Sequence, residues 1–399
     1  MKSIEEAKNE LDNKVILVRL DLNVPLENGK ITDLNRIDKI IPTIKYLRDK
    51  DAKLILLSHI GRPKGKIIPE LSLEPVKENI SYQLNEKIKL IKSNIFDLNK
   101  KQIFDTSKEK IIMLENIRFY PEEENNDSKF AEHLAGLGDI YVNEAFSCSH
   151  RNHASVTEIT KYSKAYAGIL MSNEVKALNK ITNVTKKPVT CIIGGSKIST
   201  KIKIIENLIP KFDNIIILGG MANNFLKVNG INIGKSIFEE KIDETISKIL
   251  EMSKSNNCKL IIPKDFYVGK NLNDIAKIKK SSEVENDDMI LDIGNDTIEE
   301  IKSIIKSSKT ILWNGPAGYF ENENFANGSY EIAKEIAKNS INKKLYSVVG
   351  GGDTVAVINK LNLFKSFNFV STAGGAFLEF LEGKKLPGIK ALDLHVWIK

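Results

Sequence analysis

The sequence has few of the features that mark secreted, membrane or metal-binding proteins. Its 399 residues include three scattered cysteines, an odd number that argues against a disulfide framework and for a reducing compartment. None of the three stands at a metal-ligand spacing. No apolar stretch is long enough to span a membrane, and the N-terminal segment lacks the apolar region of a signal peptide. We therefore expect a cytoplasmic protein with no membrane partner.

Arginine is also scarce, and the second half of the chain has none. Lysine and arginine together number 59, but only six are arginine and the last of these is Arg151. A chain that uses arginine in one half only is expected to use the guanidinium for bidentate recognition of phosphate or carboxylate. Arg19, inside an apolar run, is instead expected to be a structural ion-pair partner. The net charge of +7 is spread along the chain, which favours anionic small molecules over nucleic acid.

Two sequence motifs that would indicate other functions are missing. The chain contains no G-x-G-x-x-G fingerprint, which disfavours a dinucleotide-dependent dehydrogenase. Residues 230–236 resemble a Walker A loop but are one residue short between the glycines and do not follow a predicted strand. A non-enzymatic protein that closes over an anion is a second alternative, but such proteins usually carry an export signal.

The chain does contain a regular alternation of apolar runs and amphipathic segments. Hydrophobic residues make up 42% and charged residues 28%, as in ordinary globular proteins, and the length predicts two domains. The predicted strands are residues 15–20, 53–58, 111–115, 139–142, 189–193, 215–218, 260–262, 289–293, 310–313, 345–349 and 367–370. Alternation of this kind predicts an α/β fold with two doubly wound, Rossmann-like parallel sheets.

A helical segment at residues 172–185, ended by Pro188, is the predicted bridge between the domains. We expect residues 1–171 to form the N-terminal domain and residues 187–380 the C-terminal domain. Residues 172–186 then form the interdomain helix.

Polar residues follow the predicted strands of the first half. Asp21 and Asn23 come after the first strand, and Arg36 begins the next helix. Further along, the residues after strands are His59, Arg62, Arg118, Arg151 and His153. Ligands of open α/β sheets bind outside the carboxyl ends of the strands, so these side chains are expected to converge on one anion site. His59 and His153 could serve as bases, but a neutral, hydrogen-bonded role is favoured.

The turns of the second half are rich in glycine. Residues 189–201 predict a strand, a turn at Gly194 and Gly195 and a helix start, with Lys197 and Lys201 on one helical face. Similar turns occur at residues 314–316, 350–354 and 372–375. Helix N-termini behind such loops bind phosphates through backbone amides, and Asp353 suits a magnesium ion that bridges them. A single glycine turn often only closes a loop, but several in one sheet predict a phosphate-binding edge.

The motifs resemble those of the phosphoglycerate kinase family from end to end. The matching segments are VRLDLNVP at 18–25, SHIGRP at 58–63, ENIRFYPEEE at 115–124, HRNHAS at 150–155, GGSKISTKI at 194–202, WNGPAGYFE at 313–321 and GGGDT at 350–354. The resemblance implies reversible phosphoryl transfer from 1,3-bisphosphoglycerate to ADP, giving 3-phosphoglycerate and ATP in glycolysis and gluconeogenesis, with Mg²⁺. It further implies that residues 381–399 pack back on the N-terminal domain, and we expect a monomer.

The resemblance also implies which residues form the site. The implied glycerate contacts are Asp21, Asn23, Arg36, His59, Arg62, Arg118 and Arg151. The implied nucleotide contacts are Gly195, Lys201, Asn314, Glu321, Gly351, Gly352, Asp353 and Thr354, with Asp353 directed toward Mg²⁺. The implied catalytic residues near the transferring phosphoryl group are Arg36, Lys197, Lys201, Gly374 and Gly375.

The chain departs from the family pattern at a few loop positions, namely Asn143, Ser147, Cys148, Ser149 and Ala373. These departures concern local loop shape.

The expected mechanism needs no general base in the reverse direction, because the attacking carboxylate is ionised at neutral pH. The protein must instead align two charged ligands and neutralise the transferring oxygens, and we expect Arg36, Lys197, Lys201 and magnesium to do so when the domains close.

Overall fold

The computed structural model describes residues 1–183 and 186–394, so the last two residues of the predicted bridge, Val184 and Thr185, lie outside it. The chain divides into two compact units. One contains Met1–Lys176 and the segment from Lys385 onward, and the other contains Ala177–Lys384. Among the described residues, no helix has the length and apolar character needed to cross a membrane.

A six-stranded parallel sheet forms the centre of the first unit. The strands in chain order are β1 (Val15–Arg19), β2 (Leu26–Glu27), β3 (Lys30–Ile31), β4 (Lys53–Leu57), β5 (Ile88–Ile91), β6 (Ile111–Leu114), β7 (Ile140–Asn143) and β8 (Lys164–Ala167). The sheet order is β5-β6-β4-β1-β7-β8, and β2 and β3 pair as a small antiparallel hairpin. The four predicted strands are present as β1, β4, β6 and β7. The edge strands β5 and β8 were not predicted, because Lys89 interrupts the apolar run of β5 and β8 has only three residues after its lysine.

The helices α1 (Asn35–Arg48), α2 (Glu74–Leu84), α3 (Lys100–Asp105), α4 (Pro121–Glu124) and α5 (Ser128–Gly136) lie between these strands in the chain, and α1 and α2 bury apolar residues against the sheet. Helix α6 (Ile169–Thr182) crosses from the first unit into the second, which begins at Ala177. In α1 the isoleucines at 37, 40, 41 and 44 are buried at helical spacing, as predicted. Because α1 begins at Asn35, Arg36 lies in its first turn, near the carboxyl ends of the strands.

The second unit contains a second parallel sheet and a smaller antiparallel one. Its strands are β9 (Val189–Ile193), β10 (Asn214–Ile217), β11 (Lys259–Ile261), β12 (Asp265–Gly269), β13 (Lys277–Lys280), β14 (Met289–Ile293), β15 (Thr310–Asn314), β16 (Tyr346–Gly350) and β17 (Phe369–Ser371). The parallel sheet has the order β11-β10-β9-β15-β16-β17, and β13-β12-β14 form the antiparallel sheet.

The assignment of β14 to the parallel sheet was therefore wrong in one respect. Residues 289–293 do form a strand, but it pairs antiparallel with β12. An apolar run indicates that a strand is buried without indicating its partner. Its partner β12 was not predicted, although it is mostly buried. The strand β13 on the other side of β12 was also not predicted, because it is Lys-Ile-Lys-Lys and is largely exposed.

The remaining helices are α7 (Ile202–Leu208), α8 (Ala222–Val228), α9 (Asp243–Ser255), α10 (Asn295–Ser307), α11 (Asn327–Ile341), α12 (Gly352–Lys360), α13 (Gly375–Leu381) and α14 (Pro387–Leu394). Helices α7 to α13 belong to the second unit, whereas α14 belongs to the first, where the amide of Gly388 donates to the carbonyl of Ser149 at 2.8 Å. Helices α12 and α13 start inside glycine turns that follow β16 and β17. Their first turns therefore lie at the carboxyl edge of the sheet.

Candidate active site

At the carboxyl end of β1, an acidic side chain forms an ion pair with a basic one. Asp21 is buried and forms an ion pair with the Nη1 of Arg36, from the first turn of α1. The hydroxyl of Ser147 donates to the same carboxylate oxygen of Asp21. Burial alone would raise the pKa of Asp21, but Arg36 and Ser147 outweigh it and hold the pKa below its ordinary value. Asp21 is thus a fixed anion that orients Arg36.

Asn23 and Arg118 connect the ends of three neighbouring strands through one glycine. The amide of Gly61 donates to Asn23 Oδ1 at 2.8 Å, and the Nη1 of Arg118 donates to the carbonyl of Gly61 at 3.0 Å. Arg118 is buried, and burial lowers the pKa of its guanidinium, with Arg19 and Arg151 adding to the effect. The guanidinium of Arg118 therefore lies close to other cations in a partly desolvated place.

Positive charge surrounds His59 and His153, the two histidines singled out from the sequence. Burial, followed by the charges of Arg19, Arg118 and Arg36, lowers the pKa of His59 well below its ordinary value. Burial and the same kind of neighbours lower the pKa of His153 to about 3. Both rings are therefore expected to be neutral near neutral pH. His59 also has a hydrogen-bond partner in Arg19, whereas Nδ1 of His153 is buried without one among the described residues.

The remaining predicted glycerate contacts are less enclosed. Arg151 is partly buried and close enough to Arg118 and His153 to influence the pKa of both. Arg62 is exposed, and within the described ranges it makes no hydrogen bond or ion pair. The structure thus brings Asp21, Arg36, His59, Arg118 and Arg151 together, while Arg62 lies at the periphery.

In the second unit, two glycine turns approach each other very closely. A Cβ built on Gly194 would lie 2.0 Å from the carbonyl oxygen of Pro316, and one built on Gly315 would lie 2.3 Å from the carbonyl oxygen of Gly194. Gly315 also has a φ of +97°, which side chains disfavour. The ends of β9 and β15 can therefore meet only if both positions are glycine.

Lys201 is held at this junction by Asn314. Its Nζ donates to Asn314 Oδ1 at 2.6 Å, and the Nδ2 of Asn314 donates to the carbonyl of Gly350 at 2.7 Å. The hydroxyl of Thr354 accepts from the amide of Gly315 at 2.6 Å. Burial lowers the pKa of Lys201, while the negative charge of Asp353 acts in the opposite direction. Lys201, Asn314 and Thr354 therefore join the turns after β9, β15 and β16.

The placement of Lys197 and Lys201 on one helical face was wrong. Lys197 has extended backbone angles, a 3-10 turn covers Ile198–Thr200, and α7 begins only at Ile202. The two side chains are therefore not related by helical periodicity. Lys197 is exposed, whereas Lys201 is partly buried.

A cavity of about 250 Å³ opens beside these turns. Gly195, Glu321 and Asp353 line it, and all three were predicted to contact a nucleotide. Its other walls are mostly apolar and include Leu226, Phe266, Met289, Pro316 and Ala317. An apolar cavity that ends in glycine turns fits a flat ring joined to a polyphosphate.

The other predicted residues of this unit lie in the neighbouring turns. Gly351 has a φ of +100°, Gly352 and Asp353 lie in the first turn of α12, and Asp353 is exposed. Gly374, with a φ of +55°, and Gly375 lie in the turn after β17. Among the described residues, the cavity lining does not include Gly374, Gly375 or Lys197. It also does not include five of the predicted nucleotide contacts, namely Lys201, Asn314, Gly351, Gly352 and Thr354.

One glycine pair and one apolar wall of the cavity were not predicted from the sequence. Gly219 and Gly220 follow β10 and line the cavity. Their position after an apolar run was the available signal. The wall formed by Phe266 on β12 and Met289 on β14 depends on the antiparallel sheet, which the sequence reading did not find. The Walker A look-alike at 230–236 follows α8 instead of a strand, as expected.

The chain is similar to known proteins over nearly its whole length. The sequence profile of the family described as "Phosphoglycerate kinase" matches residues 4–384. A phosphoglycerate kinase from a Wolbachia endosymbiont of Brugia malayi is 44% identical over 98% of this chain and 99% of its own length. The corresponding protein of Dictyoglomus turgidum is 46% identical, with the same coverage of both chains. The solved structure of phosphoglycerate kinase from Coxiella burnetii, 40% identical, superposes with a TM-score of 0.88 over 96% of this chain and 97% of that chain.

Proposed function

Because the chain belongs to the phosphoglycerate kinase family, we propose that it transfers a phosphoryl group between 1,3-bisphosphoglycerate and ADP through the residues described above. The observation that carries the proposal is the distribution of charge and shape between the two units. One unit has an arginine cluster with neutral histidines. The other has an apolar cavity beside glycine turns and a partly buried lysine that is hydrogen-bonded to Asn314.

The glycerate ligand carries a phosphate and a carboxyl group, which suits the arginine cluster of the first unit. Arg118 and Arg151 are our candidates for phosphate binding because they lie close together and share a partly desolvated environment. Asn23 and Arg62 are more exposed and would complete the contacts at the rim. Arg36 is held by Asp21 and is our candidate for the oxygens of the transferring group.

The nucleotide suits the cavity of the second unit. We propose that the adenine ring packs against the apolar wall and that Glu321 contacts the ribose. The phosphates would then lie over the turns that contain Gly195, Gly351 and Gly352. Backbone amides at these turns can approach an anion without steric hindrance from a Cβ.

Asp353 fits a role in holding magnesium. It is exposed, lines the cavity and lies in the first turn of a helix that begins in a glycine loop. Carboxylate oxygens combined with phosphate oxygens are the usual ligands of this ion. When bound, the ion would neutralise charge on the nucleotide phosphates.

The chemistry requires charge neutralisation and alignment more than acid–base catalysis. The attacking carboxylate of 3-phosphoglycerate is ionised at neutral pH. Lys201, held by Asn314 at 2.6 Å, and Arg36, held by Asp21, are pre-oriented cations that could meet charge on the transferring oxygens. We also propose that transfer follows closure of the two units over both ligands. Small-angle scattering tests this proposal, since the protein with both ligands bound should have a smaller radius of gyration than the protein with either ligand alone.

A coupled assay tests the function itself. Purified protein with ATP, Mg²⁺ and 3-phosphoglycerate should generate 1,3-bisphosphoglycerate, detected by a dehydrogenase that consumes it. No product above the level of a heat-inactivated control would refute the proposal. Glycerate without its phosphate is the matched control substrate and should give a far lower rate, because it lacks the group that the arginines recognise.

A further inference from the structure

Arg19 is fully buried at the end of β1, and its guanidinium contacts Ser155, Leu20, His59 and Cys148. Its Nε donates to Ser155 Oγ at 2.8 Å, its Nη1 donates to the carbonyl of Leu20, and its Nη2 lies 3.1 Å from Nδ1 of His59. Ser155 is fixed in turn, because its Oγ donates to Glu123 Oε1 at 2.6 Å. A buried network thus sets the orientation of the guanidinium before any ligand binds.

The contact between Arg19 Nη2 and His59 Nδ1 determines where the imidazole carries its proton. A guanidinium has only N–H donors and stays protonated in proteins. Nδ1 must therefore offer its lone pair, which leaves the proton of the neutral ring on Nε2. A doubly protonated ring would direct one N–H at another. Among the described residues, Nε2 has no hydrogen-bond partner of its own.

The charges around His59 oppose a positive ring from several elements. The facing groups are Arg19 on β1, Asp21 after β1, Arg36 on α1, Arg118 after β6, and Cys148 and His153 after β7. Asp21, the carboxylate among them, is already neutralised by Arg36. Burial and the arginines lower the pKa of His59 well below its ordinary value, in agreement with the tautomer that the contact requires.

We propose, on the basis of the proposed function, that Arg19 is a positioning residue that holds His59 as the neutral Nε2–H tautomer, so that His59 donates a hydrogen bond to an anionic oxygen of the glycerate ligand. The neutral imidazole donates a directed hydrogen bond to the ligand without adding a positive charge that would repel the neighbouring arginines. It also makes this contact independent of pH over the working range of the enzyme. Arg19 therefore serves the site without touching the substrate.

Nitrogen NMR of the intact protein labelled with ¹⁵N in histidine tests the proposal directly. The chain has five histidines, and the spectrum of His59→Gln identifies the signals of His59 by their loss. We expect protonated Nε2 and unprotonated Nδ1 from about pH 5.5 to 9, with no titration. A proton on Nδ1, or titration near the ordinary histidine pKa, would overturn the proposal.

The variant Arg19→Lys distinguishes the orienting effect of Arg19 on His59 from the effect of its positive charge. The ammonium keeps the charge but lacks the fork that contacts Ser155, the Leu20 carbonyl and His59 together. We expect His59 to populate the Nδ1–H form, and KM for 3-phosphoglycerate to rise about tenfold while kcat stays within about threefold. An unchanged tautomer with an unchanged KM would contradict the proposal.

Ser155→Ala is the second variant if Arg19→Lys does not fold. It keeps Arg19 but removes the oxygen that accepts the hydrogen bond of its Nε. The Nδ1–H form of His59 should therefore appear, and KM for 3-phosphoglycerate should rise, but both by less than in Arg19→Lys. The NMR result does not depend on activity. An inactive protein with the expected tautomer would refute the proposed function alone, whereas an active protein with a titrating His59 would refute the role of Arg19 alone.

Discussion

The Nζ of Lys201 donates a hydrogen bond of 2.6 Å to Oδ1 of Asn314, which joins the segment after β9 to the end of β15. This contact fixes a partly buried ammonium at the carboxyl edge of the second parallel sheet. Lys197, four residues earlier, is exposed. Of the two lysines, Lys201 is therefore the one that the fold holds in a fixed orientation.

If Lys201 has the proposed role, Lys201→Ala should lower kcat strongly, because the change removes an oriented cation from the place where we propose that charge develops. We expect a loss of about 10²- to 10³-fold, as for other oriented groups that stabilise transition states. Lys203→Ala is the matched control, since Lys203 is exposed on α7. Steady-state assays of both variants make the comparison. Equal kcat values in the two would remove Lys201 from the mechanism.

Arg36→Ala should also act mainly on turnover. Arg36→Lys should recover little, because an ammonium cannot reproduce the two-pronged geometry of a guanidinium. A charge-assisted contact is worth about 1.5 to 3 kcal/mol, which corresponds to at least a tenfold loss of kcat. Arg48→Ala, on the same helix but paired with surface acids, is the control. Near-normal kcat with weaker glycerate binding would make Arg36 an anchor instead.

Two glycines of the second unit should differ sharply in their tolerance of alanine. Gly194→Ala would place a Cβ 2.0 Å from the carbonyl oxygen of Pro316, so the turn must move, and we expect lower stability and weaker ATP binding. A Cβ on Gly352 would meet nothing within 4 Å, so Gly352→Ala should retain full stability. Thermal unfolding of the two variants measures this. A Gly194→Ala variant as stable as the wild type would contradict the close approach.

Glu144 should make stability depend on pH. Its buried carboxyl accepts hydrogen bonds from Thr43 and from the amides of Leu170 and Met171 at the start of α6, but burial dominates and raises its pKa to about 7. A raised carboxyl pKa means that the folded state binds the carboxyl proton more tightly than the unfolded state does, so protonation stabilises the fold. Its contribution to the free energy of unfolding is therefore complete below about pH 4.5 and is lost as the pH rises through about 7.

The expected loss from Glu144 is about 3 kcal/mol over this range. Glu144→Gln cannot titrate, so the difference in free energy of unfolding between wild type and variant should change between about pH 4.5 and 7 and be constant above. Urea unfolding at several pH values gives this difference. A difference that does not vary with pH would show that Glu144 titrates normally.

The central strands of both sheets could be predicted because buried parallel strands are nearly continuous apolar runs. Val189–Ile193 was predicted to the residue. The edge strands β5 and β8 could not be found in this way, because a lysine interrupts the apolar run of β5 and the apolar run of β8 is only three residues long. The partner of β14 was also beyond local patterns, since pairing depends on contacts between distant residues.

The residue types of the candidate site could be anticipated from position, but their mutual contacts could not. Arginine after strands indicated anion binding, yet nothing local shows that Asp21 holds Arg36 or that Asn314 holds Lys201. The extended backbone at Lys197 was missed because the spacing of four residues was read as helical. These features arise from tertiary packing at the strand ends.

The central claim is that each unit holds one ligand, and calorimetric titration of both ligands into two variants tests it most directly. Arg151→Ala should weaken 3-phosphoglycerate binding about tenfold or more and leave the Kd for ATP within about twofold. Lys201→Ala should weaken ATP binding and leave the Kd for 3-phosphoglycerate within about twofold. Equal losses for both ligands in either variant would contradict the account.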